Sequence, residues 1–282
     1  MEVKSETVPK KIWMLWYQGL ENAPYLVKKC IASWKEKNPT WEVVLLDSTN
    51  LQSYLDFDLK DTSFQYLGLA LQSDLVRVSL LKNFGGVWAD ATTYCMLPLN
   101  SWIEEASKLG FFVYSNPGKD RVMSSWFILS TKANPLSVEL YNKFYLYLVK
   151  SNFKKPNKIQ MLIIKYLSKI LNRKTTTTKY WLHPLVSKVF KVYPYFIFHY
   201  IFENLVSTDN RCNYIWSEMK KVSADKPHKI QRLGFFSAVD EGVIEELKID
   251  KHPIFKLTWK YDIEKYRKGT LLYELLEGKI KY

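Results

Sequence analysis

Lys11 to Tyr17 reads Lys-Ile-Trp-Met-Leu-Trp-Tyr, with large apolar side chains on both alternating faces. Successive strand residues point to opposite faces of a sheet. A run of this kind therefore suits a strand covered on both sides, as in a parallel sheet flanked by helices. Tyr25 to Lys37 follows with helical apolar spacing and stops at Asn38-Pro39, and Trp41 to Leu46 reads as a second buried strand ending at Asp47. This β-α-β opening predicts an α/β fold, a Rossmann-like mixed sheet flanked by helices whose ligands lie beyond the carboxyl ends of the strands.

The 282 residues suit one domain, 1–282, carrying an inserted helical segment rather than two equal halves. With 47% apolar residues, 10 Gly and 11 Pro, disordered and collagenous chains are excluded. Aromatics make up 16%, and rings of this kind serve sugar faces, nucleobases or a membrane interface as well as a core. Cys30, Cys95 and Cys212 are far apart and lack a Cys-x-x-Cys spacing, which points to a reduced, cytoplasmic protein without structural zinc. The start, Met-Glu-Val-Lys-Ser-Glu, has acids where an export signal carries positive charge. The most apolar uncharged run, Val192 to Phe202, has 11 residues, against roughly 18 or more for a spanning helix. The chain is expected to touch a membrane without crossing it.

Formal charge is +13, from 41 Lys and Arg against 28 Asp and Glu. No acid lies between Glu139 and Glu203, a stretch that holds 12 bases. Taking those 12 from the 41 leaves 29 bases against 28 acids, so the excess belongs to one segment. That segment, 150–204, is read as a basic, aromatic helical insertion in the second half of the chain. Within it, Lys158 to Asn172 winds so that Lys158, Lys165 and Lys169 form a stripe. Ile159, Leu162, Ile163, Tyr166, Leu167 and Ile170 fill the opposite face. Two readings stand: a helix lying on an anionic bilayer, or a surface helix packing its apolar face on the core. No helix-turn-helix, zinc-finger or RNP-like pattern accompanies the charge, so nucleic acid is not an expected partner.

Between the opening unit and the basic segment, a helix from Ser73 to Asn83 is predicted, with Ser73 as its N-cap. Gly85-Gly86 then permits a tight reversal, and Val87 to Ala89 forms a strand delivering Asp90-Ala91-Thr92. Phe111 to Ser115 and Trp126 to Leu129 read as strands, Pro135 to Val149 as a helix, and Asp262 to Leu276 as a closing helix. Asp74 and Arg77, three apart on one helix face, form at least an exposed ion pair. A carboxylate at a buried strand end, as Asp90 is expected to be, suits a diphosphate ligand. It can hold a divalent ion directly or through water, or bond ribose or sugar hydroxyls.

The chain resembles the capsular polysaccharide synthesis family of bacterial glycosyltransferases, which is similar to the DXD sugar-binding enzymes, including fungal mannosyltransferases and the glucosylating domain of clostridial toxins. The resemblance is carried by Pro9-Lys10-Lys11-Ile12-Trp13-Met14-Leu15-Trp16, Ser33-Trp34 with Asn38-Pro39, Ser73-Asp74-Leu75-Val76-Arg77, and Gly85-Gly86-Val87-Trp88-Ala89-Asp90-Ala91-Thr92. Weaker matches are His199-Tyr200-Ile201-Phe202 with Asp209, and Lys256-Leu257-Thr258-Trp259-Lys260. It implies a GT-A type fold and transfer from a UDP-sugar with retention. Carried over by position, Asp90, Asp74 and Arg77 are the catalytic residues. The donor is held by Trp16 on the nucleobase, by Asp74 and Arg77 on the sugar, and by Asp90, Ala91, Thr92, Lys256 and Lys260 around the diphosphate.

The implied cofactor is a divalent cation, Mn²⁺ or Mg²⁺, on Asp90 and Thr92. Thr92 replaces the family's second acid, and a hydroxyl is a weaker ligand than a carboxylate. His252, Thr258, Asp209 and Asp240 are lesser candidates at the site. The expected partners are a UDP-sugar, a polyprenyl-linked oligosaccharide acceptor and an anionic membrane. The expected place of work is the cytoplasm, peripherally at the inner face of a bacterial plasma membrane. The alternative reading is a catalytically weak or inactive sugar-nucleotide-binding protein of a polysaccharide synthesis complex.

Overall fold

The computed structural model describes residues 7–281; Met1 to Glu6, which carry the reading of the leader, lie outside the described residues. The chain runs β1 (Lys11–Leu15), α1 (Tyr25–Lys37), β2 (Glu42–Leu46), α2 (Leu69–Phe84), β3 (Gly86–Ala89), β4 (Thr93–Cys95), α3 (Ile103–Ala106), β5 (Phe111–Gly118) and β6 (Arg121–Ser130). There follow α4 (Pro135–Ser151), α5 (Lys158–Leu171), α6 (Thr175–Thr178), α7 (Ile197–Thr208), α8 (Asn210–Glu218), α9 (Lys229–Leu233), α10 (Glu241–Asp250), β7 (Ile254–Lys256) and α11 (Leu271–Leu276). The main sheet has the order β2-β1-β3-β6-β5. In it β1 is parallel to β2 and β3, while β6 is antiparallel to β3 and β5.

Ile12 to Leu15 are buried, as their two apolar faces require, but β2 forms the sheet edge and buries only Leu46. The expectation of a second buried strand is thus corrected: Val43, Val44 and Leu45 are only partly covered. β4 and β7 make a separate antiparallel pair. It carries a second, smaller core of Phe255 and Leu257 with Leu26 and Cys30 of α1 and Leu271, Leu272 and Leu275 of α11. The C-terminal segment is thereby fastened beside the carboxyl ends of the central strands.

Two glycines fix the approach to β3. Gly85 (φ +67°) and Gly86 (φ +96°) lie in the left-handed region, and a Cβ would sit 2.6 Å from the Lys132 amide nitrogen and 2.5 Å from the Lys11 carbonyl oxygen, respectively. Only residues without a side chain let β3 come this close to β1. Trp13 locks the corner by donating its indole N–H to the Gly85 carbonyl at 2.9 Å.

Several boundaries move. Helix α2 begins at Leu69 with Gly68 as its N-cap, so Ser73 is an interior residue and not the expected cap. The chain expected to be helical from Asp262 reaches a regular helix only at Leu271, because Gly269 turns at φ +87° just before it. The basic segment divides. Its last helix, α7, buries Ile197 to Phe202 and packs on α4 and β6. Helix α5 buries no residue fully. Ile163, Ile164, Leu167 and Leu171 lean on the core, whereas Ile159, Leu162 and Tyr166 stay 69%, 66% and 66% exposed. Lys158, Lys165 and Lys169 are exposed as well. Among the described residues no helix is long and apolar enough to cross a membrane.

Gly86→Ala should lower stability by about 2–3 kcal/mol through backbone strain and clash. Gly68→Ala, with nothing within 4 Å of the new Cβ, should change it by less than about 1 kcal/mol. Urea unfolding of the two variants checks the difference.

Candidate active site

A cleft of about 770 Å³ opens beyond the carboxyl ends of β1 and β3, where a sheet of this kind places its ligands. Trp16 and Tyr17 leave the end of β1, Asp90 to Thr92 leave the end of β3, and Asp74 and Arg77 reach in from α2. Ser124 to Trp126 of β6, His199 of α7 and Lys256 of β7 close the other sides.

Arg77 is the hub. Only 5% of the residue is exposed, and each of its guanidinium nitrogens has a partner. Nη1 lies 3.0 Å from Asp74 Oδ1 and donates to the Ser125 carbonyl at 2.6 Å. Nη2 lies 3.4 Å from Asp90 Oδ1 and 3.1 Å from Ser73 Oγ, and Nε donates to the Ser73 carbonyl. The guanidinium carbon stands 5.0 Å from the centre of the Trp88 ring. The expected exposed pair is therefore a buried one, because α2 is covered nearly all round from Asp74 to Leu81. Breaking one side of such a pair typically costs 3–5 kcal/mol. Burial pushes the Asp74 carboxyl up to about 6, with Arg77 opposing and Asp90 adding to the rise.

Asp90 is held from both sides. Its Oδ1 accepts from Trp88 Nε1 at 2.9 Å and its Oδ2 from Lys256 Nζ at 3.0 Å. Its burial would raise the carboxyl, but Lys256 and Arg77 hold it below the usual range. Lys256 Nζ also donates to Thr92 Oγ1 at 2.5 Å. The residues read as ligands of Mn²⁺ or Mg²⁺ are thus turned toward an ammonium group. Asp90 and Thr92 supply one carboxylate and one hydroxyl, and the Lys256 ammonium stands between them, where an ion bridging the two would lie. Among the described residues no group of three or more His, Cys, Asp and Glu is placed to hold a metal ion. With that ammonium in place, the expected pair of ligands does not fit a divalent cation.

The cleft is short of partners elsewhere. Trp16 Nε1, Tyr17 OH, Ser124 Oγ, Trp126 Nε1 and His199 Nδ1 are buried without a hydrogen-bond partner, and all five residues line it. Buried polar atoms are almost always paired, so this grouping marks where a polar ligand would sit. Burial, with Arg121 and Arg77 nearby, pushes His199 down to about 3, so its ring is neutral. At the rim Trp16 meets Trp259 edge to face, ring centres 5.9 Å apart.

Of the residues expected at the site, Trp16, Asp74, Arg77, Asp90, Ala91, Thr92, Lys256 and Thr258 line the cleft. Lys260 is not brought in; it is exposed, with its ammonium 5.6 Å from the Trp259 ring centre. His252 pairs instead with Asp250 at 3.3 Å. Asp209 and Asp240 cap helices α8 and α10, accepting from the amides of Cys212 and Val243. Tyr17, Ser124 and Trp126 carried no signal in the sequence, because a strand residue advertises its face only through its neighbours.

A carboxyl raised by burial keeps its proton in the folded state at a pH where the unfolded chain has lost it. The contribution of Asp74 to stability should therefore fall as pH rises from about 4 through about 6, by up to about 3 kcal/mol. Denaturant unfolding across this window should show that slope in the wild type and its loss in Asp74→Asn.

Residues 1–275 match the family described as capsular polysaccharide synthesis protein. The chain is 29% identical over 162 residues to the O-glycosyltransferase braB of Annulohypoxylon truncatum, covering 49% of this chain and 38% of that one. It is 25% identical over 166 residues to the initiation-specific alpha-1,6-mannosyltransferase of Candida albicans, covering 50% and 43%. The matched part thus spans less than half the length of each of these relatives. Among solved structures, the catalytic domain of alpha-toxin from Clostridium novyi superposes with a TM-score of 0.50 at 10% identity, covering 88% of this chain and 84% of that one. The fold is the expected mixed α/β sheet of GT-A type, and the match over nearly the whole chain assigns this protein to the capsular polysaccharide synthesis family.

Proposed function

We propose that the protein is a glycosyltransferase that moves a hexose from a UDP-sugar to a hydroxyl of a lipid-linked oligosaccharide, with retention, at the inner face of a bacterial membrane. The observation that carries the reading is the Asp74–Arg77–Asp90 cluster, set at the strand ends in a cleft with five unpaired polar atoms. The two carboxylates accept, and the unpaired Trp16, Tyr17, Ser124 and Trp126 groups beside them can donate, which matches the hydroxyls of a sugar. Trp16 and Trp259 offer ring faces for a nucleobase at the rim. Lys256 is the cation for the diphosphate. The glycosyltransferases named among the relatives support the transfer chemistry.

Retention can proceed through an enzyme nucleophile or by departure and attack on one face. Asp74 and Asp90 are the carboxylates lining the cleft among the described residues, and both are engaged, with Arg77 and with Lys256. The same-face route, which asks for no carboxylate nucleophile, suits this pairing. The acceptor then approaches beside the leaving diphosphate, along the wall formed by Tyr195, Phe196 and His199 of the basic segment. Helix α5 supports the membrane part of the reading, since it exposes Ile159, Leu162 and Tyr166 beside Lys158, Lys165 and Lys169.

Asp90→Asn and Arg77→Lys keep shape or charge while removing the carboxylate or the fork. Each should lower nucleoside-diphosphate release from a donor found by screening UDP- and GDP-sugars by at least about 100-fold, with circular dichroism unchanged. Wild-type turnover in both would overturn the assignment, and nucleotide binding without any turnover would favour an inactive binding protein. Changing Lys158, Lys165 and Lys169 together to Glu should weaken sedimentation with phosphatidylglycerol vesicles by at least about tenfold. Unchanged partitioning would make the helix a packing element only.

A further inference from the structure

A sugar nucleotide brings two phosphates into the cleft, and their charge needs a cation. Acids at both positions 90 and 92 would hold that cation as a divalent ion, but here Asp90 and Thr92 hold a side chain. Lys256 Nζ bridges Asp90 Oδ2 at 3.0 Å and Thr92 Oγ1 at 2.5 Å. An ammonium group has three donors and no acceptor. Two are used, which leaves one for a ligand in the cleft that Lys256 lines.

The backbone builds this arrangement. Strand β7 pairs with β4 in the register Thr93 opposite Lys256, and the Leu257 amide donates to the Thr92 carbonyl at 2.9 Å. The Lys256 amide donates to the Pro227 carbonyl at 2.9 Å. The lysine side chain is mostly covered, with 16% of it exposed. Both oxygens of Asp90 are engaged, Oδ1 by Trp88 and Arg77 and Oδ2 by Lys256. The four charges Asp74, Arg77, Asp90 and Lys256 already sum to zero, so an added divalent ion would enter a neutral site beside a fixed ammonium.

We propose that Lys256 is a built-in replacement for the divalent ion, so that the protein binds its nucleoside-diphosphate donor without metal. The inference rests on the nucleotide-sugar reading given above. In the transfer, the bond between the sugar's anomeric carbon and the diphosphate oxygen breaks, and its electron pair goes to that oxygen. The acceptor hydroxyl oxygen forms the new bond to the same carbon, and its proton passes to the departing diphosphate. Lys256 Nζ carries the charge that develops there, the part that a metal ion would otherwise play. Thr92 serves as the acceptor that aims the ammonium, which explains a hydroxyl at a position where a second acid would draw in a cation.

The test is calorimetric titration of the full chain with UDP, in EDTA and in excess Mn²⁺. The two affinities of the wild type should agree within about twofold. Lys256→Met, which keeps the stem and removes the charge, should weaken UDP binding in EDTA by at least about tenfold, as expected for loss of a charge-assisted bond to phosphate. Adding Thr92→Asp to Lys256→Met should create Mn²⁺ binding, seen as loss of the free-ion paramagnetic resonance signal, where the wild type leaves that signal unchanged. A tenfold or greater loss of wild-type affinity in EDTA would overturn the proposal and needs no variant. So would wild-type-like binding by Lys256→Met. Failure of the wild type to bind UDP or GDP in either condition would instead overturn the nucleotide-sugar reading beneath it.

Discussion

Arg77 carries a full charge to a position that water barely reaches, where an unpaired ion costs several kcal/mol. Its neutralisation organises what surrounds it. Asp74, one helical turn away, supplies one carboxylate, and the chain turn after β3 supplies the other in Asp90. The Ser125 carbonyl of β6 and the face of Trp88 complete the shell. One guanidinium therefore fixes the relative positions of α2, the end of β3 and β6. These are three of the elements that bound the cleft.

That arrangement is possible only because β3 lies close against β1. Gly85 and Gly86 allow the approach, and the Trp13 indole holds the corner. Asp90 then emerges at the strand end with one oxygen toward Trp88 and the other toward Lys256. The second, smaller core ties the C-terminal strand to α1 and so delivers the lysine from 166 residues away in sequence. A charge-neutral cluster results, surrounded by buried polar atoms that have no partner in the protein. A site built in this way is preorganised: the ligand, and not the side chains, makes the remaining bonds.

Much of this could be read along the chain. The apolar strand at Lys11, the helix at Tyr25 and the Gly-Gly turn before β3 each rest on local stereochemistry, and each lies within a residue or two of its expected place. Trp16, Asp74, Arg77, Asp90 and Thr92 were legible because they sit at the ends or faces of such elements. Ser73 misled for the same reason. A serine before an apolar run resembles a cap, yet α2 has buried residues nearly all round and extends a turn further back. Helix α5 was legible as amphipathic, but not how much of its apolar face would stay uncovered, since that depends on what the fold places beneath it.

The sequence by itself determined the layered α/β fold, the concentration of charge in one segment, and the chemistry available at the strand ends, because periodicity, glycine freedom and residue type are local properties. Only the tertiary structure decided that the Asp74–Arg77 pair is buried, that Lys256 joins the site while Lys260 does not, and that an ammonium stands between Asp90 and Thr92. Those facts depend on strands and helices distant in sequence arriving at one place. Charge pairing in a low-dielectric cleft is set by that meeting and has no signature in any single stretch of chain.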